Sequence, residues 1–186
     1  MDTRMLAERD NPPELFPADC PLDGDGGLWW VARVRPRQEK ALAWDLLRAS
    51  TSYFLPMYEA VRRSRQRSWK TALPLFPGYL FFRGQENQRL GALKTGRVAD
   101  LLAVHDQQQL VRELTAIQRL IESGIGVDPY PALRRGVRCR IRSGPLQGIE
   151  GKVAQRRARS RFVVEVGILG QGAAVAIDGS LLEPVD

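Results

Sequence analysis

Apolar positions follow two different periods along the chain, and the change falls at Gly136. Before it, strand-like and helix-like stretches interleave. Trp29, Trp30, Val31 and Val34 suit a pleated, half-buried surface, so Leu28 to Val34 predicts a strand. Arg35-Pro36 ends it, because proline has no amide hydrogen for a continued ladder. Arg37 to Ala49 predicts a helix with Ala43, Leu46 and Leu47 on one face. Tyr53 to Val61 predicts a second strand in which Pro56 marks an edge position or a bulge. The next stretch carries Arg62, Arg63, Arg65, Arg67 and Lys70 with little apolar content beyond Trp69, and predicts a mobile loop or hairpin tip. Leu75-Phe76-Pro77-Gly78 introduces a third strand, Tyr79 to Arg83. A short helix follows from Asn87 to Lys94, stopped by Gly96, and then a strand from Val98 to Val104. Asp106 suits the N-cap of the longest helix, Gln107 to Ser123, whose apolar stripe is Leu110, Leu114, Ile117 and Ile121.

Residues 124–135, with Gly126, Pro129 and Pro131, read as a linker. Beyond it the period is two: Val137, Cys139 and Ile141 alternate with Arg138, Arg140 and Arg142. Short strands are expected at 149–155, 161–167, 173–177 and 181–184, with glycines between and within them. The predicted fold class is α+β: an antiparallel sheet with helices over 28–123, then a small β-barrel over 136–186. Residues 1–27 contain Pro12-Pro13, Pro17, Pro21 and the run Gly24-Asp25-Gly26-Gly27. They offer too little apolar surface to offset ordering entropy and read as a disordered tail.

Composition narrows the function classes. The chain has 186 residues, a length for one domain or two small ones, and its 44% hydrophobic and 26% charged content is that of a soluble globular protein. No apolar run approaches the roughly 20 residues of a membrane span, and Asp2, Glu8, Asp10 and Glu14 interrupt any signal peptide, so a cytoplasmic protein is expected. Cys20, Cys139 and the single His105 cannot make a four-ligand metal site, and no metal or cofactor is expected. The net charge of +7 favours polyanionic neighbours, either bound directly or present in a shared complex.

Two segments carry a family resemblance. The stretch Gly136 to Val153 includes Arg138-Cys139-Arg140-Ile141-Arg142-Ser143-Gly144-Pro145-Leu146-Gln147-Gly148-Ile149-Glu150-Gly151 and resembles a KOW motif. A turn is expected at Gly144-Pro145, with Gly148 and Gly151 in backbone conformations barred to larger residues. Trp29-Trp30-Val31-Ala32-Arg33-Val34-Arg35-Pro36-Arg37-Gln38-Glu39-Lys40 resembles the opening of a NusG N-terminal domain. So does Pro74-Leu75-Phe76-Pro77-Gly78-Tyr79-Leu80-Phe81-Phe82. Together they cover residues 28–186 and identify the chain as a member of the NusG/RfaH superfamily. Arg35-Pro36-Arg37-Gln38-Glu39-Lys40 and Lys94-Thr95-Gly96-Arg97-Val98 depart from the housekeeping pattern and resemble specialised, operon-specific paralogues of the RfaH type.

The resemblance implies a transcription elongation or antitermination factor, acting as a monomer. Its first domain docks on the clamp helices of RNA polymerase through Trp30, Phe76, Tyr79 and Phe81. The expectation is that replacing Tyr79 and Phe81 by alanine abolishes that binding while the fold survives. Alternation limits it, since Tyr79 and Phe81 share one face of a strand and Leu80 and Phe82 the other, and one face must cover the helices. The run Arg62, Arg63, Arg65, Arg67, Trp69 and Lys70 has two readings: contact with non-template DNA or nascent RNA, with Trp69 stacking on a base, or a solvated loop. RfaH carries a His-Thr-Thr element for the polymerase gate loop, and the region Gln88 to Gly91 lacks it. In the second domain Ile168, Leu169, Gly170 and Gln171 resemble the loop that contacts the ribosomal protein NusE, with Rho as a rival partner. Gly144, Pro145, Gly148 and Gly151 oppose any refolding of this domain into helices, since each glycine costs about 1 kcal/mol and proline about 3 kcal/mol in a helix interior.

Catalysis is not expected: the chain has no P-loop, no Gly-x-Ser-x-Gly and no metal-ligand cluster. The rival reading is an RNA-binding or ribosome-associated KOW protein, based on the basic residues Arg138, Arg140, Arg142, Lys152, Arg156, Arg157, Arg159 and Arg161.

Overall fold

A computed structural model describes residues 11–19, 21–24, 26–64, 67–130, 136–156 and 159–185. In chain order the elements are β1 (Leu15–Phe16), β2 (Leu28–Val34), α1 (Glu39–Arg48), β3 (Ser52–Phe54), β4 (Met57–Ser64), β5 (Arg67–Pro74) and β6 (Tyr79–Gly84). They continue as α2 (Glu86–Lys94), β7 (Val98–Leu102), α3 (Gln107–Glu122), β8 (Val127–Tyr130), β9 (Val137–Ile141), β10 (Glu150–Arg156), β11 (Arg159–Val166), β12 (Gln171–Val175) and β13 (Leu182–Pro184). The chain forms two compact units. The first takes residues up to Met57 together with Pro77–Gln107; the second takes Tyr58–Phe76 and everything from Gln108. The long helix and the basic hairpin thus group with the C-terminal strands, whereas the sequence reading ended the first domain at residue 123.

The first unit is a five-stranded antiparallel sheet in the order β1-β3-β6-β2-β7, with α1 and α2. Leu80, Phe81 and Phe82 in the central strand β6 have no exposed surface, so both faces of that strand are covered. Helix α1 starts at Glu39 rather than Arg37, because Arg37 adopts a positive φ of 62° that no right-handed helix can use. Its buried face is Glu39, Leu42, Ala43 and Leu46, with Leu47 only half-buried. The expected second strand is broken: Pro56 separates β3 from β4.

The described part of the N-terminal lead, which the sequence reading placed in a tail over 1–27, packs on the first sheet; residues 1–10, Cys20 and Asp25 lie outside the described residues. Leu15 and Phe16 pair with Phe54 and Tyr53 on the edge of the sheet, and the Phe16 and Tyr53 rings stack with centroids 6.2 Å apart. The Glu14 carbonyl accepts from Leu55 N at 2.6 Å, and its carboxylate accepts from Met57 N at 3.1 Å. Leu22 is 3% exposed, and its carbonyl accepts from Trp29 Nε1 at 3.0 Å. The buried Arg83 guanidinium lies 5.5 Å from the Trp29 ring and donates to the Gly24 carbonyl at 2.6 Å and the Leu22 carbonyl at 3.3 Å. A few apolar anchors and one charged clamp hold a segment whose composition alone argued against order.

The second unit contains the two-stranded β4–β5 ladder, α3, and a six-stranded antiparallel sheet in the order β13-β9-β10-β11-β12-β8. The stripe of α3 is Leu110, Leu114, Ile117 and Leu120; Ile121 is only half-buried. Strand β8 lies inside the stretch read as a linker, because Val127–Tyr130 pairs with β12 and Pro129 is tolerated at a sheet edge. Residues 131–135 of that stretch lie outside the described residues. Gly144 and Gly148 take positive φ, 88° and 86°, as the motif requires. Gly151 does not: its need is space, since a Cβ there would stand 2.5 Å from the Val163 carbonyl oxygen and 2.8 Å from the Phe162 ring. Among the described residues no helix is long and apolar enough to cross a membrane.

Candidate docking surfaces

The segment Leu75-Phe76-Pro77-Gly78-Tyr79 is held by the start of α1. Gly78 turns the chain with a φ of 84°, its amide donates to Glu39 Oε1 at 2.7 Å, and its carbonyl accepts from Val34 N at 2.7 Å. The Glu39 carboxylate thus has a hydrogen-bond donor at its buried position, which helps a carboxylate to be tolerated there. Tyr79 follows at the first position of β6, half-buried, opposite Arg33. Arg33 in turn faces Asp100 on β7, so Tyr79, Arg33 and Asp100 share one face of the sheet at neighbouring strands. Arg33 and Asp100 are exposed. Sequence reasoning did not single out either, because only the register of β2 against its neighbours brings them beside Tyr79.

Of the four residues predicted to dock polymerase, the three that lie in the first unit do not form one patch. Phe81 is wholly buried and shares the Tyr79 face, opposite Val31 and Phe54. Trp30 is opposite Phe82, which puts it on the other face. There its ring lies 5.6 Å from the Arg89 guanidinium of α2, and its Nε1 donates to the Gly84 carbonyl at 3.4 Å. Phe76 is 1% exposed and belongs to the second unit. Of the four, Tyr79 and Trp30 retain surface. Gln88, in the region compared with the gate-loop element, lies in α2 and turns its amide oxygen back to Gln85 N at 3.0 Å.

The stretches that depart from the housekeeping pattern meet each other. Arg97 Nε donates to Asp45 Oδ2 at 2.6 Å, its guanidinium also binds the Gln38 side-chain oxygen, and Arg35 N donates to the Arg97 carbonyl at 2.9 Å.

The described part of the basic run lies in the paired strands β4 and β5. Trp69 on β5 is 51% exposed, and Lys70 makes an exposed ion pair with Glu59 at 2.8 Å. Arg65 and the side chains of Arg62, Arg63 and Arg67 lie outside the described residues. In the C-terminal sheet Gly167–Leu169 forms a single 3-10 turn closed by Gly170 with a φ of 60°, and Gln171 opens β12. Ile168, Leu169 and Gln171 are half-buried and Gly170 is exposed. Gly167 N donates to Glu113 Oε2 at 3.0 Å.

The basic strand β9 is internally neutralised. Arg140 pairs with Glu150 at 2.6 Å and reaches Glu183 at 4.0 Å, while Arg138 lies 3.5 Å from Glu150. Lys152 pairs with Glu165 at 2.7 Å and Arg161 with Asp128 at 2.9 Å. Cys139 is buried and free. Among the described residues no group of three potential metal ligands comes together.

The family model described as transcription termination factor NusG matches residues 27–132. A solved structure titled "Domain interaction in Thermotoga maritima NusG" is 18% identical, covers 86% of this chain and 97% of its own, and superposes with a TM-score of 0.46. A search of curated proteins finds no match. With more than half its length matched by that family model, the chain belongs to the NusG family of transcription factors.

Proposed function

We propose that this chain is an elongation or antitermination factor that docks on the clamp helices of RNA polymerase through the Tyr79 end of its first sheet. The observation that carries the reading is the Glu39–Gly78 clamp, which fixes an aromatic side chain at the rim of a rigid sheet. Tyr79 offers contact area at low side-chain entropy cost, and Arg33 and Asp100 beside it supply a polar rim. The factor works as a non-enzymatic cytoplasmic monomer without a cofactor. Residues 28–123 act as the polymerase-binding domain and 136–186 as a KOW module that recruits NusE or Rho through Ile168, Leu169, Gly170 and Gln171.

The Arg97 bridge supports a specialised paralogue of the RfaH type, since it ties Gln38 to Asp45 and so makes the two divergent stretches one structural feature. Exposed Trp69 supports contact of the hairpin with non-template DNA or nascent RNA. The rival reading, an RNA-binding KOW protein, is weakened by the carboxylates opposite Arg138, Arg140, Lys152 and Arg161, which cancel much of the local positive field.

Co-purification with core RNA polymerase tests the proposal. Tyr79→Ala is the clean variant, because Phe81→Ala would empty a fully buried site at a cost of about 3–5 kcal/mol. Loss of polymerase from the Tyr79→Ala pull-down, with thermal unfolding unchanged, supports docking. Equal recovery rejects it. Chromosomal occupancy restricted to a few operons marks the specialised role; occupancy wherever polymerase is found marks a general one.

A further inference from the structure

We propose that the β3 edge of the first sheet, with the Trp29–Arg83 corner beyond it, is a groove for an extended, acidic segment of another protein. Asn11 to Gly24 is its resident occupant, held in cis and exchangeable for a segment of the same chemistry in trans. The groove operates whether or not Tyr79 docks polymerase.

Beyond the two-residue ladder of β1 on β3, hydrogen bonds run from the body to this segment along its length. Lys40 Nζ donates to Asn11 Oδ1 at 2.6 Å, and the Tyr53 hydroxyl to the Pro13 carbonyl at 2.9 Å. Leu55 N and Met57 N donate to the carbonyl and the carboxylate of Glu14. At the far corner Trp29 Nε1 donates to the Leu22 carbonyl, and the Arg83 guanidinium to the carbonyls of Pro21, Leu22 and Gly24. In every one of these bonds the body donates and the segment accepts. Charge follows the same division. Residues 11–27 hold Glu14, Asp19, Asp23 and Asp25 with no lysine or arginine, in a chain of net charge +7, whereas the body brings Lys40 and Arg83.

That asymmetry describes a receptor and its ligand. A sheet edge takes an added strand through backbone bonds, and side-chain pockets choose the sequence. Here the edge is apolar, with Tyr53, Phe54 and Leu55 buried beneath the segment, and the corner holds Leu22 and Arg83 at 3% and 4% exposure. The segment is also suited to exchange. It makes only two ladder pairs, Pro17 to Asp19 are exposed, and Gly24, Gly26 and Gly27 lie in its tether to β2. Such a tether sets a local concentration on the order of millimolar, which a segment in trans must match unless the resident contacts are weakened.

The probe is a labelled synthetic peptide of residues 11–24, titrated into the full chain and followed by fluorescence anisotropy. Glu14→Ala combined with Leu22→Ala weakens the resident segment and leaves the body unchanged. That protein is expected to bind the peptide about tenfold more tightly than wild type, since apparent affinity scales with the open fraction. Its Leu55 and Met57 amides are expected to exchange faster than in wild type and to slow again when peptide is added. Adding Tyr53→Phe, which deletes one donor of the groove, is expected to weaken the peptide about fivefold. Peptide binding no tighter in the double variant than in wild type overturns the groove, as does binding that leaves the Leu55 and Met57 amides unprotected. Should circular dichroism show the double variant unfolded, Leu22→Ala alone decides by the same comparison, with an expected gain of about threefold. A single-stranded oligonucleotide, also an acceptor-rich polyanion, is expected not to displace the labelled peptide, and displacement by it overturns the assignment to a protein segment. Sedimentation is expected to show a monomeric wild-type chain. A dimer that excess peptide dissociates makes the trans occupant a second copy and overturns the assignment to another protein.

Discussion

Glu39 and Gly78, far apart in the chain, meet at 2.7 Å and join the two most recognisable stretches of the first unit. The carboxylate gives a turn amide its partner, and the turn sets the exposed end of β6. Removing the acceptor leaves the half-buried Gly78 amide without this partner.

Glu39→Ala is therefore expected to destabilise the protein by about 1–3 kcal/mol. Glu39→Gln, which keeps an acceptor oxygen, should lose less than half of that. Urea denaturation of the three proteins measures it. If both variants lose the same amount, the carboxylate acts through packing or the helix terminus and not through Gly78.

The glycines of the KOW-like stretch separate two physical demands. Gly148→Ala introduces a Cβ into open space but forces a non-glycine residue to positive φ, at about 1–2 kcal/mol, and Gly148→Asn should recover part of it. Gly151→Ala meets the Val163 carbonyl and the Phe162 ring instead, with an overpacking cost of about 1–3 kcal/mol that asparagine makes worse. Thermal unfolding of the four variants checks the opposite order of alanine and asparagine at the two sites.

Much of the architecture could be read from periodicity, because strands with alternating apolar residues and helices with a four-three stripe announce themselves locally. Pro56 was read as an irregularity within one strand and ends it outright. What could not be read is what depends on register and on distant partners. Nothing local brings Arg33 and Asp100 beside Tyr79, or sets Glu150 and Glu183 opposite Arg140 to neutralise a strand that reads as basic. Trp30 and Phe81 look alike as aromatic strand residues, yet only pairing tells that they occupy opposite faces and that Phe81 is wholly covered. The contacts of the described part of the lead escape a local reading for the same reason. Its partners are the Tyr53 ring, the Met57 amide and the Arg83 guanidinium, all supplied by later elements.

Trp69 and Lys70 give the hairpin reading a quantitative test. If the hairpin holds single-stranded nucleic acid, Trp69→Ala weakens binding of a labelled oligonucleotide by about 1–3 kcal/mol. Lys70→Ala then lowers the slope of log affinity against log salt by about 0.7. The Glu59–Lys70 pair is exposed on both sides and gives little resistance to such a contact. Fluorescence anisotropy at several salt concentrations decides, and unchanged affinity and slope in both variants would make the hairpin a solvated one.

The Glu14 carboxyl supplies a pH test of the ordered lead. Burial is its main influence and raises its pKa above the ordinary glutamate value, while the hydrogen bond from Met57 N pulls the other way. A value higher in the folded state than in the unfolded chain means that folding favours the protonated form. The stability this group contributes is complete below the unfolded value and is lost as pH rises through the folded one. Glu14→Gln removes the titration and keeps an oxygen for Met57 N. Its Tm should exceed that of wild type at about pH 7, and the difference should shrink as the pH falls to about 4, near the unfolded carboxyl value. Calorimetric scans across that range measure it. A Tm difference that does not vary with pH would mean that the lead leaves Glu14 as solvated in the folded protein as in the unfolded chain, and the Glu14–Phe16 segment would then lose its buried anchor at Met57.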